Sequence, residues 1–332
     1  MRGTEWRSVR KIRRVAEIEE LLRMSDRGGA ITTELVRENL IRSRMRTSQT
    51  YLGLTRRRLK NYPTFAGTNS FLQLASDRIA FARKIGIWIG DSHSIRLTPL
   101  GVQLKSALET PDRKIKILEI LLASPYSAYR GFVNHIASIG GKFEIPATLR
   151  LRTKGDSREY HHYLQNHGFL TDGASFHAIK DLFYDFGFLN WRVFKDGKER
   201  IYLTRTIYGY ETMGIMKDIC AKVKHTIPTQ SSLPSEVANA LVDAYIRMGF
   251  PLSEFHDILP LRDEATEKLL ISDQEFAEHL HLIATNPEID ARVKVGVGPL
   301  VEKIPLGYGL KLVTLPRLLE DEPITRIMVS QN

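Results

Sequence analysis

FARKIGIWIGDSHSIRLTPLG (residues 81–101) and FYDFGFLNWRVFKDGKERIYLT (residues 183–204) are two stretches of the chain that share one pattern. In each, an amphipathic helical segment with aromatic residues ends near a glycine, Gly86 or Gly187, and an apolar strand follows. A polar turn then reverses the chain into a second strand, which ends at Thr98 or Thr204. The repetition predicts two copies of a helix followed by a β-hairpin.

This order of elements is typical of the winged helix, a helix-turn-helix variant. Such domains place a helix in the major groove of DNA while the hairpin, or wing, touches the backbone. We therefore predict an α+β, mainly helical fold of tandem winged-helix domains that binds double-stranded DNA with sequence preference.

Loops and shifts in composition predict the domain boundaries. We expect a first winged-helix domain with a basic N-terminal region at residues 1–110 and a second winged-helix domain at 111–224. A polar, proline-flanked linker at 225–234 leads to an acidic C-terminal domain at 235–332. In that domain we predict a third, degenerate winged helix. Its expected elements are helices at 235–248, 253–259, 263–270 and 273–284 and strands near 291–295 and 310–314.

The charge of the chain is unevenly distributed. The formal net charge is +10, but residues 1–60 contain 16 Lys and Arg against 7 Asp and Glu, whereas residues 231–332 contain 9 against 16. Basic side chains bind phosphates and release counterions, so the first two thirds of the chain are expected to contact DNA. The acidic region is expected to pack on protein, to position a partner, or to carry metal-assisted chemistry.

The single cysteine, Cys220, excludes an intramolecular disulfide and indicates a reducing compartment. No stretch approaches the roughly 18 consecutive apolar residues of a membrane span. We predict a cytoplasmic protein with no membrane partner.

The helix before each hairpin is the candidate for reading bases, since Gln and Asn suit adenine and Arg suits guanine. An ordinary solvated helix face is the alternative. In the first module the candidates are Asn69, Gln73, Arg78 and Lys84. The second module offers two candidate helices, at 157–167 and 175–186, with a basic approach that could follow phosphates. Its candidates are Arg152, Lys154, Arg158, His161, His162, Gln165, Ser175, His177 and Lys180.

A basic run precedes the first helix–hairpin copy. Its alternation of Arg with Ser and Met does not build a helical core face, so we favour a loop that clamps the DNA backbone or an arm that enters a groove. A solvated charge run is the alternative. The residues are Arg42, Arg44, Arg46, Arg56, Arg57, Arg58 and Lys60.

No convincing active site is apparent, and catalytic residues stay unassigned. His161, His162, His167 and His177 have neither a His-Glu-x-x-His motif nor a cysteine pair beside them, so we predict no metal site there. Asp185 with Asp196-Gly197-Lys198 matches the pattern of an Mg²⁺-dependent nuclease. However, Asp-Gly is also what a tight hairpin turn requires, and we favour the turn.

Residues 70–132 (SFLQLASDRIAFARKIGIWIGDSHSIRLTPLGVQLKSALETPDRKIKILEILLASPYSAYRGF) carry a resemblance to a known family. A helix, a short hairpin ending in Leu97-Thr98-Pro99-Leu100-Gly101, and a helix leading to Ser124-Pro125 follow one another. The run resembles the DNA-recognition region of type IIS restriction endonucleases of the FokI kind, over about residues 60–210. The resemblance implies an asymmetric duplex site read by tandem winged helices and cut by a separate Mg²⁺-dependent nuclease domain.

No full nuclease domain fits after the third expected domain, so we expect a recognition region, or a recognition subunit with a separate nuclease domain or subunit as partner. On this view the chain itself binds no cofactor, and Mg²⁺ is bound only if a nuclease module is present. A compact nuclease in the acidic last hundred residues is an alternative. The alternative is a non-enzymatic transcription or replication regulator. The chain has no long heptad run, which favours a monomer on an asymmetric site.

Overall fold

The computed structural model describes the chain over several ranges. They are residues 12–24, 31–40, 69–91, 94–123, 127–151, 158–169, 173–211, 214, 216–286, 288–298, 311, 314–315 and 323–330. The predicted α+β class is confirmed, because the described residues are mainly helical with small antiparallel sheets. Within these ranges no helix combines the length and apolar character needed to cross a membrane.

The described elements follow one another in an order that we label along the chain. They are α1 (Val15–Arg23), α2 (33–40), α3 (Asn69–Lys84), β1 (Trp88–Ile89), β2 (Arg96–Leu97), α4 (Pro99–Ala107), α5 (Arg113–Ala123), α6 (Ser127–Ser138), β3 (Lys142–Ile145), α7 (Ala147–Leu151), α8 (Arg158–Asn166), α9 (Gly173–Asp185), β4 (Leu189–Val193), β5 (Glu199–Leu203), α10 (Ile207–Glu211), α11 (Lys217–Val223), α12 (Pro234–Arg247), β6 (His256–Asp257), α13 (Ile258–Leu269), α14 (Asp273–Thr285), β7 (Val293–Gly296) and β8 (Arg326–Val329).

The chain folds into two compact units. The first unit comprises residues 1–133 and 153–186, and the second comprises residues 134–152 and 187–332. An aromatic cluster forms part of the core of the first unit: the ring of Phe132 lies 5.5, 5.0 and 5.9 Å from the rings of Phe169, Phe176 and Phe183. In the second unit, Trp191 on β4 and Tyr245 on α12 are both fully buried.

Three segments of the chain repeat one order of elements, and we call them the first (15–98), second (127–204) and third (234–330) modules. Each contains a helix, a short strand or bridge, further helices and an antiparallel hairpin. The sheets have the orders β3–β5–β4 and β6–β8–β7, so the early strand pairs with the last strand of the hairpin. In the first module, Ile31 makes the equivalent single bridge, to Ile95 beside β2. The sequence repeat therefore corresponds to a repeat in topology, and it extends to a third copy.

All three hairpins close through the same backbone hydrogen bond. The residue after the last strand donates its N–H to the carbonyl of the residue before the first strand of the hairpin. The pairs are Thr98 to Ile87 at 3.1 Å, Thr204 to Phe188 at 3.0 Å and Ser330 to Arg292 at 2.9 Å.

The first two hairpins share a second closing bond. The Thr98 hydroxyl donates to the Gly86 carbonyl at 2.6 Å, and the Thr204 hydroxyl donates to the Gly187 carbonyl at 2.7 Å. Both glycines adopt positive φ, +81° and +86°, which L side chains rarely adopt. The glycine and the threonine that mark the sequence repeat are thus the two ends of one hydrogen bond.

Two predicted elements in the third module are wrong. The helix predicted at 253–259 does not form, because β6 pairs with β8 there and helix α13 starts only at Ile258. The strand predicted near 310–314 is also wrong at the two residues of it that the structure describes: Lys311 is helical and Thr314 lies in a turn. The last strand of this hairpin is instead β8.

Candidate nucleic-acid interface

Helix α3, which precedes the first hairpin, has one exposed polar face. Gln73, Ser76 and Ala80 are exposed on it, while Ala75 and Ala82 are buried on the other side. At 3.6 residues per turn, positions 69 and 84 fall on the same face as position 73. Lys84 is half-buried at the end of the helix, and Asn69 is its first residue, of whose side chain the structure gives no description. Three of the four predicted base-reading positions in this module therefore share one face.

Arg78 lies on the opposite side of α3. It is 5% exposed, and its guanidinium contacts Glu17 at 2.5 Å and Glu20 at 3.5 Å. Both glutamates belong to α1, so the arginine joins two helices of the first unit. We withdraw Arg78 from the candidate DNA-contacting residues, because its charge is already neutralised inside the protein.

Helix α8 also divides into two faces. Tyr160 and Leu164 are buried, four residues apart, and the Tyr160 ring lies 6.4 Å from that of Phe176. The predicted residues Arg158, His161, His162 and Gln165 occupy the other face, and all but the half-buried His161 are exposed. This helix thus presents a polar surface, with Arg158 and Glu159 both exposed, whose amide, imidazole and guanidinium groups are of the kinds that contact DNA.

Helix α9, the second candidate in this module, has no such face. Ser175 is fully buried and Lys180 is 4% exposed, while residues 178–184 are all buried. His177 is half-buried and stacks on Tyr160, with ring centroids 5.5 Å apart. Side chains as buried as these two cannot reach base edges, so we withdraw Ser175 and Lys180 and retain α8.

The predicted basic residues in two further stretches lie outside the described residues. They are Arg42, Arg44, Arg46, Arg56, Arg57, Arg58, Lys60, Arg152 and Lys154. Their role in DNA contact stays a prediction.

The second hairpin adds basic residues that the sequence analysis did not assign to DNA contact. Lys195 and Lys198 are exposed at its tip. Asp196 accepts the backbone N–H of Lys198 at 3.0 Å, which holds the pKa of the Asp196 carboxyl below its ordinary value. Gly197 has a φ of +83°, so the predicted Asp-Gly turn is confirmed.

Asp185, the other half of the nuclease-like pattern, also has a structural partner, which is distant in the sequence. Its carboxylate accepts the backbone N–H of Val15 at 2.7 Å, at the first residue of α1. Acceptors are needed there because the first N–H groups of a helix lack partners within the helix.

A group of buried charges, which the sequence analysis missed, lies in the second unit. We call Lys311, Arg262, Asp263, Asp273 and Asn190 the buried ionic cluster. The Lys311 ammonium donates to Asp263, Asp273 and Asn190, each at 3.0 Å, and Arg262 lies 3.3 Å from Asp273. Two cations thus balance two carboxylates.

Two carboxylates and a lysine also make up many Mg²⁺-dependent nuclease sites, but the geometry here favours a structural role. The side chains of Lys311 and Arg262 have no exposed surface, and that of Asp273 is 1% exposed. A DNA phosphate cannot reach them in this arrangement. Buried charges of this kind need mutual pairing, and the cluster supplies it.

The four histidines of the predicted helices do not converge. His161 and His162 have ring centroids 6.3 Å apart, whereas His167 packs on Tyr163 at 4.1 Å. Among the residues that the structure describes, no three His, Cys, Asp or Glu side chains form a group that could hold a metal ion. Burial raises the pKa of the Cys220 thiol to about 12.

Comparison with known proteins identifies no relative of this chain. No family model matches the chain, and no curated protein or solved structure does.

Proposed function

We propose that this chain is a sequence-specific binder of double-stranded DNA, built from tandem winged-helix modules. The observation that carries the proposal is the repeated topology, in which a helix precedes a hairpin closed by the same hydrogen bond in all three modules. The early strand that pairs with the last strand of the hairpin is the arrangement expected of a winged helix. DNA binding is the usual work of that arrangement.

In the first module, α3 is the helix that we place in the major groove. Its exposed face combines Gln73 with the small residues Ser76 and Ala80, which allow close approach to base edges. A glutamine side chain can make paired hydrogen bonds to adenine. Lys84, at the end of the same face, is suited to a phosphate.

In the second module, α8 takes the corresponding role. Arg158, His162 and Gln165 are spaced at four and three residues and are all exposed. Arg158 can pair with guanine or phosphate and Gln165 with adenine. Because α9 is buried, the second module departs from the simple rule that the helix next to the hairpin reads the bases.

The helix before the hairpin of the third module offers no matching surface. Helix α14 precedes its hairpin and exposes Gln274, Glu278 and His281. The carboxylate of Glu278 would repel phosphates, and residues 231–332 carry more acidic than basic residues. We therefore assign DNA contact to the first two modules.

The biological setting that we propose is restriction of foreign DNA, with this chain as the recognition region or recognition subunit of a type II restriction endonuclease. The resemblance of residues 70–132 to type IIS enzymes supports this setting. Cleavage would then come from an Mg²⁺-dependent nuclease domain or subunit, and the residues that perform it are not assigned.

The first test is to select duplexes bound by the protein from a random pool and then to incubate the winning duplex with protein and Mg²⁺. A short asymmetric site supports the proposal, and cutting would locate a nuclease in this chain. An uncut palindrome would favour a transcription or replication regulator. A pool without any enriched site would overturn sequence-specific binding.

A matched pair of glutamines sharpens the test. Gln73 and Gln274 each lie on the helix before a hairpin, and each donates to an acidic side chain four residues later, at 2.9 and 3.3 Å. We expect Gln73→Ala to change the preference at one base position by about 1–3 kcal/mol, and Gln274→Ala to leave it unchanged. Equal profiles for both variants would exclude α3 as the reading helix.

A further inference from the structure

The tip of the second hairpin is a short basic turn with a fixed conformation. The Phe194 N–H donates to the Lys198 carbonyl and the Gly197 N–H donates to the Phe194 carbonyl, both at 2.9 Å. Lys195 and Lys198 are exposed on this turn, and the Lys198 ammonium lies 3.3 Å from Asp196. Such a tip has the size and charge to contact a DNA phosphate.

Immediately below the tip, two guanidinium groups contact one aromatic ring. The Arg192 guanidinium is 4.1 Å and the Arg200 guanidinium 4.7 Å from the centre of the Phe194 ring. Cation–π contacts of this kind favour one orientation of the three side chains. The stack connects β4 to β5 through their side chains as well as their backbones.

The two arginines are held from outside the hairpin by carboxylates. Arg192 contacts Glu264 and Glu267 of α13, and the second of these contacts measures 2.9 Å. Arg200 contacts Glu144 of β3 at 2.5 Å and also Glu267. Burial alone would lower the pKa of Arg200, but its hydrogen bonds to Glu267 and Glu144 outweigh this and raise it. The charges of both arginines are therefore satisfied within the protein.

Further polar contacts fix the base of the hairpin to the third module. The Asn190 side chain on β4 donates to Asp273 at 2.8 Å and accepts from Lys311 at 3.0 Å. On β5, the Tyr202 hydroxyl lies 3.1 Å from the Thr266 hydroxyl. Both strands of the hairpin are thus attached to the third module from the base to just below the tip.

We infer that the third module is a positioning brace for the second hairpin, and that α13 holds the lysine tip in the orientation in which it contacts DNA phosphates. Glu264 and Glu267 are the positioning residues. The inference rests on the proposed DNA-binding function and gives the third module a part in it although its helix α14 offers no basic face to DNA. A braced loop loses less conformational entropy on binding than a free one.

The alternative is that α13 inhibits DNA binding, and an experiment must distinguish this role from that of a brace. If α13 instead withheld Arg192 and Arg200 from DNA, removing its carboxylates would strengthen binding. If it braces the hairpin, removing them weakens binding, because the tip no longer meets the phosphate. The sign of the change distinguishes the two roles.

The test uses the full chain and the duplex selected from the random pool, with affinity measured over a range of salt concentrations. We expect Lys195→Ala with Lys198→Ala to weaken binding about tenfold and to reduce the slope of log K against log salt by about two. Glu264→Gln with Glu267→Gln should weaken binding to a similar extent. Combining all four changes should add little to either pair alone, because both pairs remove the same contact.

A control variant and a stability measurement separate positioning from loss of folding. Asp243→Asn removes an exposed carboxylate of the third module that pairs with Lys268, and it should bind like the wild type. Thermal unfolding of each variant shows whether it is folded at the temperature of the assay. If the double glutamine variant unfolds, Glu264→Gln alone carries the test at the more exposed carboxylate.

The outcomes identify which proposal fails. A wild-type protein that binds no duplex overturns the proposed function and the brace together. A wild type that binds, with glutamine variants that bind equally well or more tightly, overturns only the brace. Full additivity of the lysine and glutamine changes would also overturn it.

Discussion

The first and second hairpins have the same threonine closure but different support. The first has strands of only two residues. Trp88 on β1 and the flanking residues Ile87 and Ile95 are buried apolar side chains. The second has strands of five residues and is held by ion pairs through Arg192 and Arg200. The closing hydrogen bonds are thus local and recur in both hairpins, whereas the support of each hairpin depends on what packs against it.

The largest expected effect tests the buried charges at the base of the second hairpin. We expect Lys311→Met to lower the free energy of unfolding by about 3–5 kcal/mol, because it leaves Asp263 and Asp273 with excess buried negative charge. Urea unfolding, followed by tryptophan fluorescence in a background that keeps only Trp191 of the three tryptophans, measures the loss. The control is Lys268→Met, which removes an exposed partner of Asp243 and should cost no more than about 1 kcal/mol. Equal losses in the two variants would contradict a special role for the cluster.

A smaller effect compares the two closures directly. Thr98 also caps α4, since its hydroxyl oxygen accepts the Gly101 N–H at 3.0 Å. We therefore expect Thr98→Val to cost about 2 kcal/mol, the sum of a lost cap and a lost hydrogen bond. Thr204→Val loses the bond to the Gly187 carbonyl and should cost about 1 kcal/mol. Chemical denaturation of both variants checks the order, and a larger loss at Thr204 would reverse our interpretation.

The local features of the hairpins could be predicted from the sequence. Gly86 and Thr98 are close in the chain, so the pattern that joins them repeats visibly at Gly187 and Thr204. A threonine followed by a proline is a typical start of a helix, and Thr98 caps α4 in this way. Each of these contacts spans at most 17 residues.

The two faces of α3 could also be predicted from the sequence. Arg78 follows Gln73 by five positions, which turns it about 140° around a helix. That spacing alone places the two side chains on different faces, whereas residue type alone favours base contact for both. The exposed face of α3 could therefore have been predicted without the arginine.

The support of the second hairpin could not be predicted in this way. Lys311 and Asn190 are 121 residues apart, and nothing local in either segment indicates the other. The burial of Lys180 on α9 could not be predicted either. A lysine is expected at the surface from its type, and only the packing of the helix shows that it is buried. Long-range pairing of charges has no sequence period, whereas hairpins and helices do.

The smallest effect uses alkaline pH to distinguish the two hairpins. Tyr202 lies on β5, while the first hairpin contains no tyrosine. Burial and the nearby charge of Asp273 raise the pKa of Tyr202 well above its ordinary value. Its hydroxyl is thus neutral in the folded state, and the resulting stability is complete below pH 10 and decreases as pH rises beyond that value. Each pH unit above about 10 should cost up to about 1.4 kcal/mol from this residue, because the unfolded chain ionises first.

Tyr202→Phe isolates this contribution. The variant loses the hydrogen bond to Thr266 and should be slightly less stable at neutral pH, but its unfolding free energy should fall less between pH 9 and pH 11 than that of the wild type. Tyr129, in the first unit, also has a raised pKa through burial, so Tyr129→Phe is the matched change away from the second hairpin. Urea unfolding at both pH values is followed by fluorescence in a background that keeps only Trp191 of the chain's three tryptophans, so that the signal reports on β4. Tyr129→Phe could reduce the alkaline loss of unfolding free energy, as reported by Trp191, as fully as Tyr202→Phe does. In that case the stability of the second hairpin at high pH would not depend on the ionisation of Tyr202 in particular.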